Sequence, residues 1–306
     1  MKKILILIII PLISLTQNYN GPESIEYNYS TGSYFISNSN NGQILELDIN
    51  NDLSIFASNI GSGPHGLEIV NNILYVCSGG RLKGYDISDG SQVLNYNLNG
   101  SFLNGITHKD NILFITDFSQ GTLFAYYLDE QNHEEIMSFN KNPNGTYWDG
   151  INNRLLIVFW GNNAPIYSVN YLTQEYDPIL YTGLGNLDGI TMDECGNFYI
   201  SAWSSNSIHK YNNDFSESEV FISNLSYPAD ICFNQNDNIL AVPNSGNNSI
   251  SLIEGACENL SHIYDNYNDR KIVNSTDLLG KFFSGKGFKI EFYDDGSIKK
   301  KYILNK

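Results

Sequence analysis

Leu187-Asp188-Gly189-Ile190-Thr191-Met192-Asp193-Glu194-Cys195-Gly196-Asn197-Phe198-Tyr199-Ile200-Ser201-Ala202-Trp203 reads as two short strands and the turn between them. Asp188 and Gly189 open the first strand. Asp193 to Asn197 form an acidic, glycine-containing turn, and Phe198 to Trp203 alternate as a strand buried on both faces does.

Degenerate copies of this unit recur along the chain. The equivalents of Ile200 are Ile36, Val76, Ile115, Ile157 and Val242, at steps of 40, 39, 42, 43 and 42 residues. A third strand follows each copy, over 44–48, 82–86, 123–127, 166–170, 208–212 and 250–254. A weaker fourth strand precedes the next copy, as in Glu219-Val220-Phe221-Ile222. Four strands per unit at a period near 40 is the signature of a β-propeller. A four-stranded sheet with two apolar faces cannot bury both alone, so sheets stack radially and the ring closes. Six copies predict an all-β, six-bladed ring over residues 18–258, with no sustained helical period anywhere.

The 306 residues carry a formal charge of −16, which opposes binding to nucleic acid and attracts cations. Lys2 and Lys3 precede an apolar run from Ile4 to Leu15, too short to cross a bilayer, so residues 1–16 read as a signal peptide. The expectation is an exported monomer without a membrane span after cleavage. Cys77, Cys195, Cys232 and Cys257 allow three complete pairings. Cys195 with Cys232, in neighbouring blades, is one possible pair; buried free thiols are the stronger expectation. No cysteine spacing fits a zinc site. Asparagine-rich turns such as Asn50-Asn51-Asp52, Asn71-Asn72 and Asn152-Asn153 read as hairpin connections.

Aligning the start of each innermost strand to Asp188-Gly189-Ile190 gives Glu23, His65, Asn104, Asn144, Asp188 and Ala229 at the first position. Innermost strands line the channel of a propeller, so these side chains should converge at one mouth. Two carboxylates, two amides and an imidazole suit a hard divalent cation, Ca²⁺ or Mn²⁺ rather than Zn²⁺. Such residues can equally serve only to cap loops. His65 is expected to be a hydrogen-bonded channel residue more than a ligand, and Asp230 is an alternative contributor. Trp160 and Trp203, just past the second strand, could rim the channel and stack on a carbohydrate, although blade packing would also explain them. His108, His133, His209 and His262 read as surface or turn residues. No phosphate loop and no Gly-x-Ser-x-Gly elbow occurs.

Asn142-Pro143-Asn144-Gly145, Leu187-Asp188-Gly189-Ile190 with Cys195-Gly196-Asn197, and Tyr227-Pro228-Ala229-Asp230-Ile231 resemble the SMP-30/gluconolactonase-like and NHL-type six-bladed group. The resemblance implies a divalent cation on Glu23, Asn144 and Asp188, with Asp188 as the catalytic proton shuttle and Asn104 and His65 orienting the substrate. Phe102 stands where the sugar-acid lactonases carry an arginine two residues before the blade-three asparagine, and Glu23 lacks the aromatic that usually follows it. Both departures favour a secreted binding propeller, for a glycan, small molecule or protein, over the alternative, a metal-dependent lactone or ester hydrolase. Whether the chain is an enzyme stays open at this point.

After Cys257 the repeat stops and basic residues become frequent. Short strands are predicted over 270–274, 288–293 and 298–304, joined by a turn at Asp294-Asp295-Gly296. Asp277, Leu279 and Gly280, followed by Asp295, Gly296, Lys299 and Lys300, resemble the type A C-terminal sorting domain of the type IX secretion system, covering 260–306. That resemblance implies export by Sec and then the type IX machinery across a Gram-negative outer membrane, with the product released or attached to the cell surface.

Overall fold

A computed structural model describes residues 18–254, 257, 272–276, 281, 287–293 and 298–303. The signal segment and sorting-motif residues Asp277, Leu279, Gly280, Asp295 and Gly296 lie outside the described residues, as does His262.

Five four-stranded antiparallel sheets and one three-stranded sheet follow one another in chain order. Their inner strands are Pro22–Asn28, Leu67–Val70, Leu103–Lys109, Pro143–Asp149, Leu187–Met192 and Cys232–Asn234. The protein is a six-bladed β-propeller. The only helix among the described residues is a single 3₁₀ turn, Trp203–Ser205. The sixth blade departs from the expected four strands: it holds Cys232–Asn234, Ile239–Asn244 and Ser249–Glu254, and no fourth strand among the described residues.

Why the repeat folds this way is visible in the second strand of each blade, which is buried on both faces. Successive side chains of a strand point to opposite faces, so one apolar run serves two neighbours. In blade three, Leu113 and Ile115 join the core shared with blade two, whereas Phe114 joins the core shared with blade four. In blade five, Phe198 and Ile200 face blade four, and Tyr199 faces blade six. The result is six apolar clusters, one at each junction between blades. Left-handed asparagines close the hairpins, with φ of 64° at Asn51, 57° at Asn71 and 52° at Asn153.

The inner strands approach so closely at the axis that side chains are excluded there. A Cβ on Gly66 would overlap the carbonyl oxygen of Asn104, one on Gly105 that of Asn144, and one on Gly145 that of Asp188. Gly66 donates its N–H to Asn104 O at 3.0 Å, and Asp230 donates its own to Glu23 O at 2.9 Å. Together these residues form a waist that divides the channel into two mouths.

A second compact unit, residues 257–306, contains a three-stranded antiparallel sheet of Ile272–Thr276, Gly287–Tyr293 and Ile298–Ile303. In it Lys299 lies opposite Glu291 in register, and Lys300 opposite Ile290.

Candidate functional site at the channel mouth

The first-position residues stand at the N-terminal ends of the inner strands, on one side of the waist. Asp188, Asn144 and Asn104 are buried, at 2%, 1% and 6% exposure. Asn104 donates its Nδ2–H to Asn144 Oδ1 at 2.5 Å, and Asn144 donates its own Nδ2–H to Leu187 O at 3.0 Å. The Asn144 amide also lies against the Asp188 carboxyl. Three of the five predicted residues are thereby linked across blades three, four and five.

Glu23 joins them electrostatically. Burial, and after it the charges of Glu23 and Asp230, hold the Asp188 carboxyl well above its ordinary range, against the opposing pull of Asn144 and Trp203. Burial and the charge of Asp230 push Glu23 up to about 7, opposed by a hydrogen bond from Ser245. Asp230, pushed up to about 7 chiefly by burial, accepts the Ser24 hydroxyl at 2.8 Å. Three carboxyls from blades one, five and six therefore repel one another in a desolvated space. No ion pair between described residues reaches any of them.

His65 differs from expectation. Its backbone N–H donates to Cys77 O at 2.9 Å, but its buried Nδ1 has no hydrogen-bond partner. Burial lowers its pKa to about 4, so the ring is neutral. The imidazole meets Phe102 edge-on, with centroids 4.5 Å apart. Phe102 thus fills the space beside the imidazole.

From this contact an arc of rings runs around the mouth. Phe102 packs against Phe118 at 5.5 Å, Phe118 against Trp160 at 5.9 Å, and Trp160 against Trp203 at 5.2 Å. Trp203 stacks on Tyr227 at 5.0 Å with 20° between the planes. Six rings from blades two to six therefore form one continuous series. At the start of blade one the corresponding segments carry amides and a hydroxyl, Asn20, Asn38, Ser39 and Asn40, hydrogen-bonded among themselves and to Gly21 O. The indole N–H of Trp203 is drawn toward the Asp188 carboxyl, yet it falls short of hydrogen-bonding geometry and stays unpartnered.

Several residues that build this mouth carried no signal of their own in the sequence. Thr116 Oγ1 accepts the Gly105 N–H at 2.9 Å and donates to Asn144 O at 2.6 Å. Ser201 does the same for Gly189 N–H, at 2.7 Å, and Ala229 O, at 2.7 Å. Each hydroxyl ties one inner strand to the next. Asp117, fully buried, accepts the N–H groups of Ser101 at 2.5 Å and Phe102 at 3.2 Å, which fixes the ring that faces His65. The other described histidines lie elsewhere: His133 is 3.1 Å from the Tyr96 hydroxyl, His209 is 2.9 Å from that of Ser207, and His108 pairs with Glu68.

The cysteines divide evenly. Cys77 and Cys232 are free, so Cys195 does not pair with Cys232. Cys195 and Cys257 are disulfide-bonded, which corrects the expectation of free thiols at both positions.

Many solved structures share this architecture. A luciferin-regenerating enzyme superposes with a TM-score of 0.64 at 12% identity, over 80% of this chain and 94% of its own. An auxiliary nutrient binding protein from Bacteroides thetaiotaomicron gives 0.62 at 10% identity, over 78% and 70%. A catalytically inactive virginiamycin B lyase from Staphylococcus aureus, solved with quinupristin, gives 0.59 at 15% identity, over 95% and 97%. What they share with this chain is the fold. No protein-family model matches the chain, and no curated protein matches it. The propeller neighbours include both a binding protein and enzymes.

Proposed function

We propose that this protein is an exported propeller that binds a glycan at the mouth formed by Glu23, Asn104, Asn144 and Asp188. The observation that carries this reading is the unbroken arc of rings from His65 to Tyr227 around a floor of oxygen donors. Sugar rings present C–H faces to aromatics and hydroxyls to amides and carboxylates, and the two kinds of surface adjoin here. The nutrient binding protein among the structural neighbours is in keeping with that role.

A divalent cation fits the same floor. Glu23, Asn144 and Asp188 offer oxygen donors from three blades, and among the described residues no basic side chain pairs with the carboxyls to offset their repulsion. Such a donor set favours Ca²⁺ or Mn²⁺. When bound, the ion supplies positive charge that can polarise a ligand oxygen. Titrating oligosaccharides with and without CaCl₂ or MnCl₂, followed by tryptophan fluorescence, tests the reading. Trp203→Ala should abolish the signal, and binding that is indifferent to Trp160→Ala and Trp203→Ala alike rejects it.

A hydrolase of the gluconolactonase-like type is the second reading, favoured by a carboxyl at Asp188 that burial and the charges of Glu23 and Asp230 hold well above its ordinary range. Phe102, in place of a fixed positive charge, speaks against sugar-acid lactones. A panel of lactones and esters assayed with wild type, Glu23→Gln and Asp188→Asn decides: a hydrolase turns over a substrate and loses that turnover in both variants, whereas a binding propeller turns over none.

Export through the type IX system belongs to the same proposal, on the sequence of the tail. Expression in a host that carries that machinery should yield a secreted product lacking about 45 C-terminal residues, the span of the resemblance. An uncleaved periplasmic product argues against it.

A further inference from the structure

Beyond the waist lies the second mouth of the channel. A cavity of about 320 Å³ opens there, in the size range that holds small ligands. Its floor is apolar, made of Ile25, Leu67, Ile106, Ile190 and Ile231. Its walls differ from side to side. Blades one and two present Glu26 and Glu68, and blade four, across the opening, presents Tyr147 and Trp148.

The two glutamates are compensated differently. Glu68 Oε1 lies 2.7 Å from His108 Nδ1, and this contact raises the imidazole pKa, so the pair can carry opposite charges. Among the described residues, no base stands beside Glu26. The groups that act on it are Glu68 and Asp230, which repel its charge, and the Cys232 thiol, which hydrogen-bonds to it. Burial, and after it the charges of Glu68 and Asp230, hold Glu26 well above the ordinary carboxyl range. Tyr29, at the rim, is pushed up to about 12, mainly by burial, and stays neutral. A desolvated carboxyl in this position either keeps its proton or takes a cation from outside.

We propose that this mouth binds a small organic ammonium ion, its charged head on Glu26 and its apolar body over the isoleucine floor toward Tyr147 and Trp148. Acid on one wall and aromatic side chains on the other match a ligand that is cationic at one end and apolar at the other. A metal ion fits less well: the ligand atoms of Glu26, Glu68, Asp230, Cys232 and His108 do not gather closely enough to share one ion. This site shares Asp230 with the surroundings of Glu23 and Asp188, but its ligand-binding carboxyl, Glu26, is not one of the Glu23–Asn144–Asp188 donors, so the two readings are tested by different variants.

Calorimetry of the full chain near neutral pH with phenethylammonium, against the uncharged 2-phenylethanol, tests the proposal. The amine should bind at least about tenfold more tightly than the alcohol. Glu26→Gln should erase that preference, whereas Glu23→Gln should leave it intact. Met192→Trp, which fills the cavity from blade five without touching the acids, should abolish binding of both compounds. Equal affinity for the two compounds, a preference that survives Glu26→Gln, binding unaffected by Met192→Trp, or no heat from the amine at millimolar concentration overturns the proposal.

Discussion

Asn104 and Asn144, forty residues apart and on adjacent blades, share a buried amide–amide hydrogen bond of 2.5 Å. Because Asn144 also donates to Leu187 O, its amide is held from both sides and its oxygen is oriented by protein contacts alone. That pre-set orientation should matter more for binding than for folding. Asn144→Ala leaves the Leu187 carbonyl unpaired in the interior and should cost about 1–3 kcal/mol of stability. Asn104→Ala should cost less stability but loosen the oxygen, weakening Ca²⁺ or Mn²⁺ binding by roughly tenfold, about 1.4 kcal/mol. Chemical denaturation and calorimetry check the two arms. Unchanged ion affinity in Asn104→Ala would show that the amide pair has no part in ion binding.

The carboxyls of this mouth predict an unusual pH response. Glu23 and Asp230 titrate near 7 in the folded chain, well above their ordinary values. The folded state therefore holds protons that the unfolded state has released, so stability falls as pH rises. Their contribution is complete below about pH 4 and is lost as pH passes through about 7. In a chelating buffer the melting temperature of wild type should drop across this window more steeply than that of the Glu23→Gln, Asp230→Asn double variant. Divalent ions should restore stability on the alkaline side only. Identical slopes for the two proteins would contradict the assignment.

At the waist, Gly145 has no room for even a methyl group, since its Cβ would overlap the Asp188 carbonyl oxygen and crowd Gly189. Those neighbours are backbone atoms of a packed strand and cannot swing aside. Gly145→Ala should therefore destabilise by about 2–4 kcal/mol, at the upper end for a single methyl. Gly161→Ala gives a control with open space around it, where the positive φ of 115° is the only cost. Comparable losses in both would mean that backbone conformation, not close approach, governs Gly145.

Thiol counting separates the two classes of cysteine. Burial pushes the Cys77 and Cys232 thiols far up, so neither is a thiolate near neutrality. Ellman's reagent should react slowly with the native protein, then titrate two thiols per chain in denaturant without reductant and four after reduction. Four thiols before reduction would rule out the disulfide.

Much of the ring could be read from spacing. The copies of Ile200 at steps of about forty residues mark second strands because a strand buried on both faces must be apolar throughout, and few other elements demand that. The same alignment brought Asn104, Asn144 and Asp188 to one place, since position within the repeat fixes position around the axis. Blade six was less legible: Ala229 and Asp230 align with the other strand starts in sequence but do not open a strand in the structure. There only single bridges form, and the strand proper starts at Cys232. Thr116 and Ser201 escaped notice because a lone hydroxyl in an apolar run has many local uses. Its partner, a carbonyl of the next blade, is set by the closed ring and not by neighbouring sequence. The unpartnered Nδ1 of His65 was out of reach for the same reason.

Blade one is complete within residues 22–57 and the described strands of blade six within 232–254, so neither lends a strand to the other. Five junctions join consecutive stretches of sequence. The sixth joins partners about two hundred residues apart, such as Ser24 with Asp230 and Tyr34 with Asn234. Each sheet can zip up as soon as its own residues are made, but the last seam must wait for both ends of the chain to meet, at an added entropic cost of about 1.4 kcal/mol for a span roughly five times longer. A nascent chain halted after blade five should thus be an open crescent with its sheets already formed, and arrival of the final sheet is the event that brings Glu23 beside Asp230.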